Sequence, residues 1–186
     1  MSRAEPAALP SARRQELLEA AYRYVLANGV ADMSLRPLAT STGTSPRVLL
    51  YLFGSKDGLV REILARARAE QRDIVRAMLV DREAAGDPAD RLWAWLSAPR
   101  QRDTIRLFVE AYARSLHPDP GPWEGFGQAS VEEWLELLGV VEPSPSPTRT
   151  LHLAVLRGLL LDLLATGDVD RVTAAYRLHR RTLTTR

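Results

Sequence analysis

The sequence contains no cysteine, which excludes a disulfide framework, thiolate zinc sites and a cysteine nucleophile. Lysine is nearly absent: Lys56 is the sole lysine among 25 Lys and Arg residues. Histidine is scarce too, and His117, His152 and His179 fall on separate stretches without metal-ligand spacing. No Gly-rich loop precedes a Lys-Ser or Lys-Thr pair, and no G-x-S-x-G elbow occurs, so no catalytic residue, metal site or cofactor is assigned. No run approaches the ~20 apolar residues of a membrane span, and MSRAEPAALP lacks the apolar core of a signal peptide. A soluble cytoplasmic protein without a membrane partner is expected. The formal net charge of +2 permits nucleic-acid binding without demanding it, because a local basic patch matters more than a total.

What is present centres on Ser34 to Leu59, SLRPLATSTGTSPRVLLYLFGSKDGL. Leu35, Leu38, Ala39 and Thr42 recur at helical spacing. Gly43 ends that short helix, and Ser45 with Pro46 restarts one, Ser capping free amides and Pro filling the first turn. Two short helices joined by a Gly-containing turn form a helix-turn-helix pattern. The second, Pro46 to Phe53, is expected to turn Leu49, Leu50 and Phe53 inward and Arg47, Val48 and Tyr51 outward. Gly54 ends it. Lys56 then stands at the start of the next helix, where a cation opposes the macrodipole unless an anion such as phosphate is near. Upstream, Ser11 is expected to cap a support helix whose stripe is Leu17, Leu18, Ala21, Tyr22, Val25 and Leu26. Arg13 and Arg14 near its start could meet phosphate or solvent. Met1 to Pro10 reads as a frayed arm with Arg3 its one basic residue.

The residues Leu38-Ala39, Gly43, Ser45, Leu49, Tyr51, Phe53, Ser55-Lys56 and Leu59, in order and without gaps, resemble the DNA-binding signature of the TetR family. The resemblance covers the first third of the chain. It implies an all-α protein: an N-terminal three-helix helix-turn-helix head over 1–56, joined by a long helix to a helical ligand-binding and dimerisation body over 57–186. It also implies a regulator, most often a repressor, that binds a palindromic double-stranded DNA operator as a homodimer and is released by a small effector. Arg36, Thr44, Ser45, Arg47, Val48, Tyr51 and Lys56 are the candidate DNA contacts. Leu50 and Leu52 depart from the aromatic and His or Tyr usual in the family, so the backbone grip is expected to rest on Arg47, Tyr51 and Lys56. The alternative is a helical dimer that binds a small molecule and not DNA.

From Ser55 a helical pattern runs to about Glu83, roughly 40 Å at 1.5 Å per residue. Its apolar residues form two patches, Leu59 to Ala67 and Ile74 to Leu79, separated by a polar middle. Asp87 is expected to cap the next helix. A helix carrying Val131, Trp134 and Leu138 ends at Gly139, and VVEPSPSPTR reads as an extended connection. All four tryptophans lie at or beyond Trp93. Trp93, Phe108, Tyr112, Trp123, Phe126, Trp134 and His152 are candidate contacts for a small apolar or aromatic ligand, since buried Trp favours sites with an apolar body and a polar partner. Leu151 to Ala165 is apolar around the whole wheel, which a surface helix of a monomer would not be. The last two helices are therefore expected to pair with their copies in a second chain. Leu151, Val155, Gly158, Leu159, Asp162, Val172, Tyr176 and His179 are the candidate interface, with Asp162 paired across it to Arg157, Arg171 or Arg180.

Overall fold

The computed structural model describes residues 10–30, 33–81, 83–141 and 146–184. The arm with Arg3 lies outside them as far as Leu9. Among these residues the chain is all-α, with nine α-helices and no strand. Two compact units divide between Ala67 and Arg68, a partition inside the long helix, whereas the sequence pattern puts the boundary at that helix's start.

The first unit begins with α1, Pro10–Asn28. Ser11 is inside this helix, not its cap. Helix α2 spans Leu35–Ser41, with Ser34 in extended N-cap geometry but making no side-chain cap bond. Gly43 takes φ +64°, the left-handed turn a Cβ would resist, and the Thr44 N–H donates to the Ala39 carbonyl at 2.9 Å. Helix α3, Pro46–Phe53, is capped as expected, Ser45 Oγ accepting the Val48 N–H at 3.3 Å. Helix α4 runs Lys56–Val80. The four helices close over Leu17, Ala21, Val25, Leu38, Leu49, Leu59 and Ile63, none more than 1% exposed, so the apolar stripe of each is spent on one small core.

Arg14 and Arg66 tie α1 to α4 through Glu62 and Glu19. Arg14 also donates Nε–H to the Leu52 carbonyl at 3.2 Å and lies 5.0 Å from the Phe53 ring centroid. It is committed within the head, and Arg13 pairs with Glu16. The hydrogen bond from Arg66 holds the Glu19 carboxyl below the usual carboxylate range, against an opposing effect of burial.

The second unit contains the rest of α4 with α5 (Pro88–Leu96), α6 (Arg102–Ser115), α7 (Phe126–Val141), α8 (Ser146–Thr166) and α9 (Val169–Thr184). Its core runs through Val75, Leu92, Leu96, Leu138, Leu156 and Leu163. Asp87 caps α5 by accepting the Ala89 N–H at 2.7 Å. Three sequence-based boundaries need correction. Helix α4 stops at Val80, short of Glu83, because the Asp81 carboxylate accepts the N–H groups of Glu83 and Ala84 at 3.0 and 3.1 Å and turns the chain. Helix α7 continues past Gly139 to Val141. Helix α8 opens at Ser146, with Pro147 in its first turn where a missing N–H costs no intrahelical bond, so the residues from Ser146 onward are helical and not part of an extended connection.

Candidate functional site

The head presents α3 as a two-faced helix. Leu49 and Phe53 are 1% and 6% exposed, and Tyr51 is 85% exposed. Arg47 and Tyr51, four residues apart, project from the same outer face, with Val48 beside them and exposed. Leu50 is a correction: expected inside, it is 41% exposed. In a two-turn helix the inward stripe is filled by the Leu49–Phe53 pair, and a residue one position on is rotated away from it. Arg36 on α2, Ser45 before α3 and Lys56 at the first position of α4 are exposed, and Thr44 is half-buried.

Arg36, Arg47 and Lys56 have no carboxylate within salt-bridge distance among the described residues, unlike Arg13, Arg14 and Arg66. Cations left without internal partners around an exposed helix can meet phosphate oxygens without first breaking a protein contact. Gly58 is a residue that the sequence pattern does not single out. A Cβ there would stand 2.3 Å from the Phe53 carbonyl oxygen, so only glycine lets the first turn of α4 close on the end of α3. Its sequence signal is a glycine placed inside a helix's first turn, where propensity alone would disfavour it.

In the second unit a cavity of about 320 Å³ opens among α4, α5, α6, α7 and α8. Of the expected ligand contacts, Phe108, Tyr112 and Trp134 line it. Trp93, Trp123, Phe126 and His152 do not. Trp93 stacks on Tyr176 with ring centroids 4.7 Å apart and donates Nε1–H to Thr173 Oγ1 at 3.0 Å. Trp123 is buried, with Arg114 5.6 Å from its centroid. Phe126 is tilted against Phe108 at 5.7 Å. His152 is 1% exposed, with the His179 ring 5.2 Å away. Burial holds both imidazoles below the usual histidine range, His179 also feeling His152. Gln71, Ser130 and Arg157, absent from the sequence-based candidates, supply polar groups to the cavity wall. Only a register on α4, α7 and α8 that the sequence does not display puts them there.

Two expected interface residues are also corrected. Val172 and Tyr176, each 1% exposed, are spent on the chain's own core, because α9 turns that stripe toward α5 and α8. Asp162 pairs with Arg171 within the chain, Nη1 donating to Oδ2 at 2.8 Å and Nη2 to Oδ1 at 2.5 Å. Hydrogen bonding from Arg171 holds the Asp162 carboxyl below its ordinary range. His179, Val155 and Leu159 are half-buried, and Leu151 and Gly158 are exposed. Among the described residues no helix is long and apolar enough to cross a membrane, and no cluster of three His, Asp or Glu could hold a metal ion.

The head is a helix-turn-helix whose second helix is exposed and flanked by cations that have no carboxylate partner among the described residues. The model for bacterial regulatory proteins of the tetR family matches residues 17–63, all of them within the first unit. The HTH-type transcriptional regulator BetI of Brucella suis biovar 1 (strain 1330) is 30% identical over 123 residues, covering 56% of this chain and 62% of that protein. A TetR-family member from Streptomyces coelicolor A3 has a similar structure, with TM-score 0.67 and 28% identity over 91% of this chain and 96% of that one. The multidrug binding protein EbrR, complexed with proflavin, is similar at TM-score 0.66 and 26% identity, covering 90% and 99%. Over residues 17–63 the chain matches the tetR-family model, and its fold is similar to that of TetR-family structures. It spans less than two thirds of the BetI chain it matches.

Proposed function

We propose that the protein is a cytoplasmic repressor that binds a palindromic operator as a homodimer and is released when a small molecule occupies the body cavity. The observation that carries the DNA half is the outward face of α3, where Tyr51 is 85% exposed beside Arg47 and Val48 while the opposite face is buried. In this reading Arg47 reads a base edge, Tyr51 contacts a phosphate or a thymine methyl, and Arg36, Thr44, Ser45 and Lys56 hold the backbone. EbrR has been seen with imidazole, proflavin and malachite green, which supports reading the cavity here as the effector site. Its Gln71 lies on α4, the same helix that opens at Lys56, and a ligand that favours one setting of that helix would couple the two sites.

Selection of bound sequences from random duplex DNA tests the first half. A palindrome is expected to be enriched, and Arg47→Ala should then lose about 1–3 kcal/mol of binding and relax one position in each half-site. A uniform loss at every position would move Arg47 to the phosphate class. No enrichment at low salt would leave a dimer that binds a small molecule without DNA.

The dimer is read from α8 and α9. Leu151, Ala154, Gly158, Leu161 and Ala165 form an exposed stripe along α8 at helical spacing, and Leu178 on α9 is 57% exposed. Nothing lies within 4 Å of a Cβ placed on Gly158, so a side chain there fits the single chain. Gly158→Arg is therefore expected to leave the fold intact, raise local helix propensity, and convert a sedimenting dimer to monomer at micromolar concentration. A dimer unaffected by this change would rule out α8 as the seam.

A further inference from the structure

We infer that the cavity selects an aromatic carboxylate, with Arg157 as its charge partner and Gln71 as a hydrogen-bond donor; the inference rests on the cavity being the effector site. Arg157 lies on α8 at the cavity wall. Its Nη2 donates to Ser130 Oγ at 3.1 Å, and its guanidinium sits 4.8 Å from the Tyr112 ring centroid. Both partners are neutral. Among the described residues no carboxylate lies within salt-bridge distance of it. A guanidinium cannot shed its proton in a protein, so this is a permanent positive charge, half out of water, in a mostly apolar chamber whose other polar lining groups, Gln71 and Ser130, are neutral. Such a charge is costly until an anion joins it. Burial pulls the Arg157 pKa below its ordinary range, with Tyr112 opposing, as expected for a cation short of a counter-charge.

Gln71 supplies the second, independent observation. It is 8% exposed and lines the same cavity, and its carboxamide has no hydrogen-bond partner among the described residues. Its amide atoms are open to the cavity and not sealed in the core, so the carboxamide stands free to donate to a polar ligand group. Phe108, Tyr112 and Trp134 supply ring faces for the ligand body. A volume of about 320 Å³ is at the small end of ligand pockets, which favours a one- or two-ring body. A single cation matches a single carboxylate, to which Arg binds in two-pronged fashion.

Three probes with one body and different charge decide this: 2-naphthoate, 2-naphthamide and 2-naphthylmethylammonium, titrated calorimetrically into the full chain. Naphthoate is expected to bind at least about tenfold more tightly than the amide, and the ammonium most weakly. Arg157→Met should erase the gap between acid and amide, while Arg157→Lys keeps a smaller one. If Arg157→Met does not fold, as judged by circular dichroism, the charge series on the unaltered protein still decides. Equal affinities, or a preference for the ammonium, would overturn the inference while leaving the cavity a ligand site. If none of the three binds at millimolar concentration, the inference falls together with the reading of the cavity as an effector site.

Discussion

Trp93→Ala is expected to destabilise the second unit by about 3–5 kcal/mol, the range for deleting a large aromatic from a packed core. Trp93 is 3% exposed and lies almost parallel to Tyr176, the rings 8° apart in plane. The lost terms are apolar burial, the stacking contribution and the hydrogen bond to Thr173. The hydroxyl of Thr173 would also lose its indole donor. Urea unfolding followed by far-ultraviolet circular dichroism measures the loss, and Thr173→Val should cost only about 1 kcal/mol by the same assay. If Trp93 were instead a ligand contact, Trp93→Ala would change ligand affinity and leave the unfolding midpoint nearly in place. A loss below about 1 kcal/mol would therefore contradict the core assignment.

Arg91→Met should be the next largest change, a loss of about 2–3 kcal/mol. The Arg91 guanidinium on α5 gathers four backbone carbonyls. Nη2 donates to Met78 at 2.8 Å and Asp81 at 3.1 Å, and Nη1 donates to Ala84 at 3.1 Å and Gly86 at 2.8 Å. The last carbonyls of a helix have no intrahelical donor, and a cation at that end also complements the macrodipole. Arg91 thus closes α4 and pins the turn into α5 with one side chain. Methionine keeps the stem and removes the donors, so packing loss contributes little to the difference. Amide exchange should speed up in the last turn of α4 and in the following turn, with the helix interior unchanged. Arg91→Lys should recover only part of the loss, because an ammonium cannot span four carbonyls in one plane. Full stability in Arg91→Met would mean that water satisfies these carbonyls equally well.

Much of the head was legible in the residues. Ser45 and Pro46 start α3 where their chemistry requires, Gly43 and Gly54 take the positive φ their positions imply, and Tyr51 faces outward. Each of these depends on neighbours within about one helical turn. Leu50 was not legible, because an apolar residue on a short helix carries no mark of whether a partner exists on its side. The connection before α8 was obscured for a related reason: Pro-Ser alternation argues against a helix interior, yet Pro147 is harmless in a first turn.

The body was legible only as a set of helices. Trp93 and Trp134 are equally apolar in sequence and both join the body's core, but only Trp134 also lines the cavity. Val172 and Tyr176 belong to an amphipathic stripe whose partner could be a second chain or the same one, and the structure places them in the chain's own core. Arg157, Gln71 and Ser130 come from α8, α4 and α7, and nothing local to any of them records the other two.

The sequence by itself therefore determined the helical class, the turn chemistry of the helix-turn-helix and its outward residues, because caps, glycine φ and helical period act over a few neighbouring positions. The tertiary structure alone decided which aromatics build core or cavity, which arginines are spent on carboxylates or carbonyls, and where a cation is left without a counter-charge. Those outcomes depend on residues far apart in the chain meeting at one place, and no local pattern encodes the meeting.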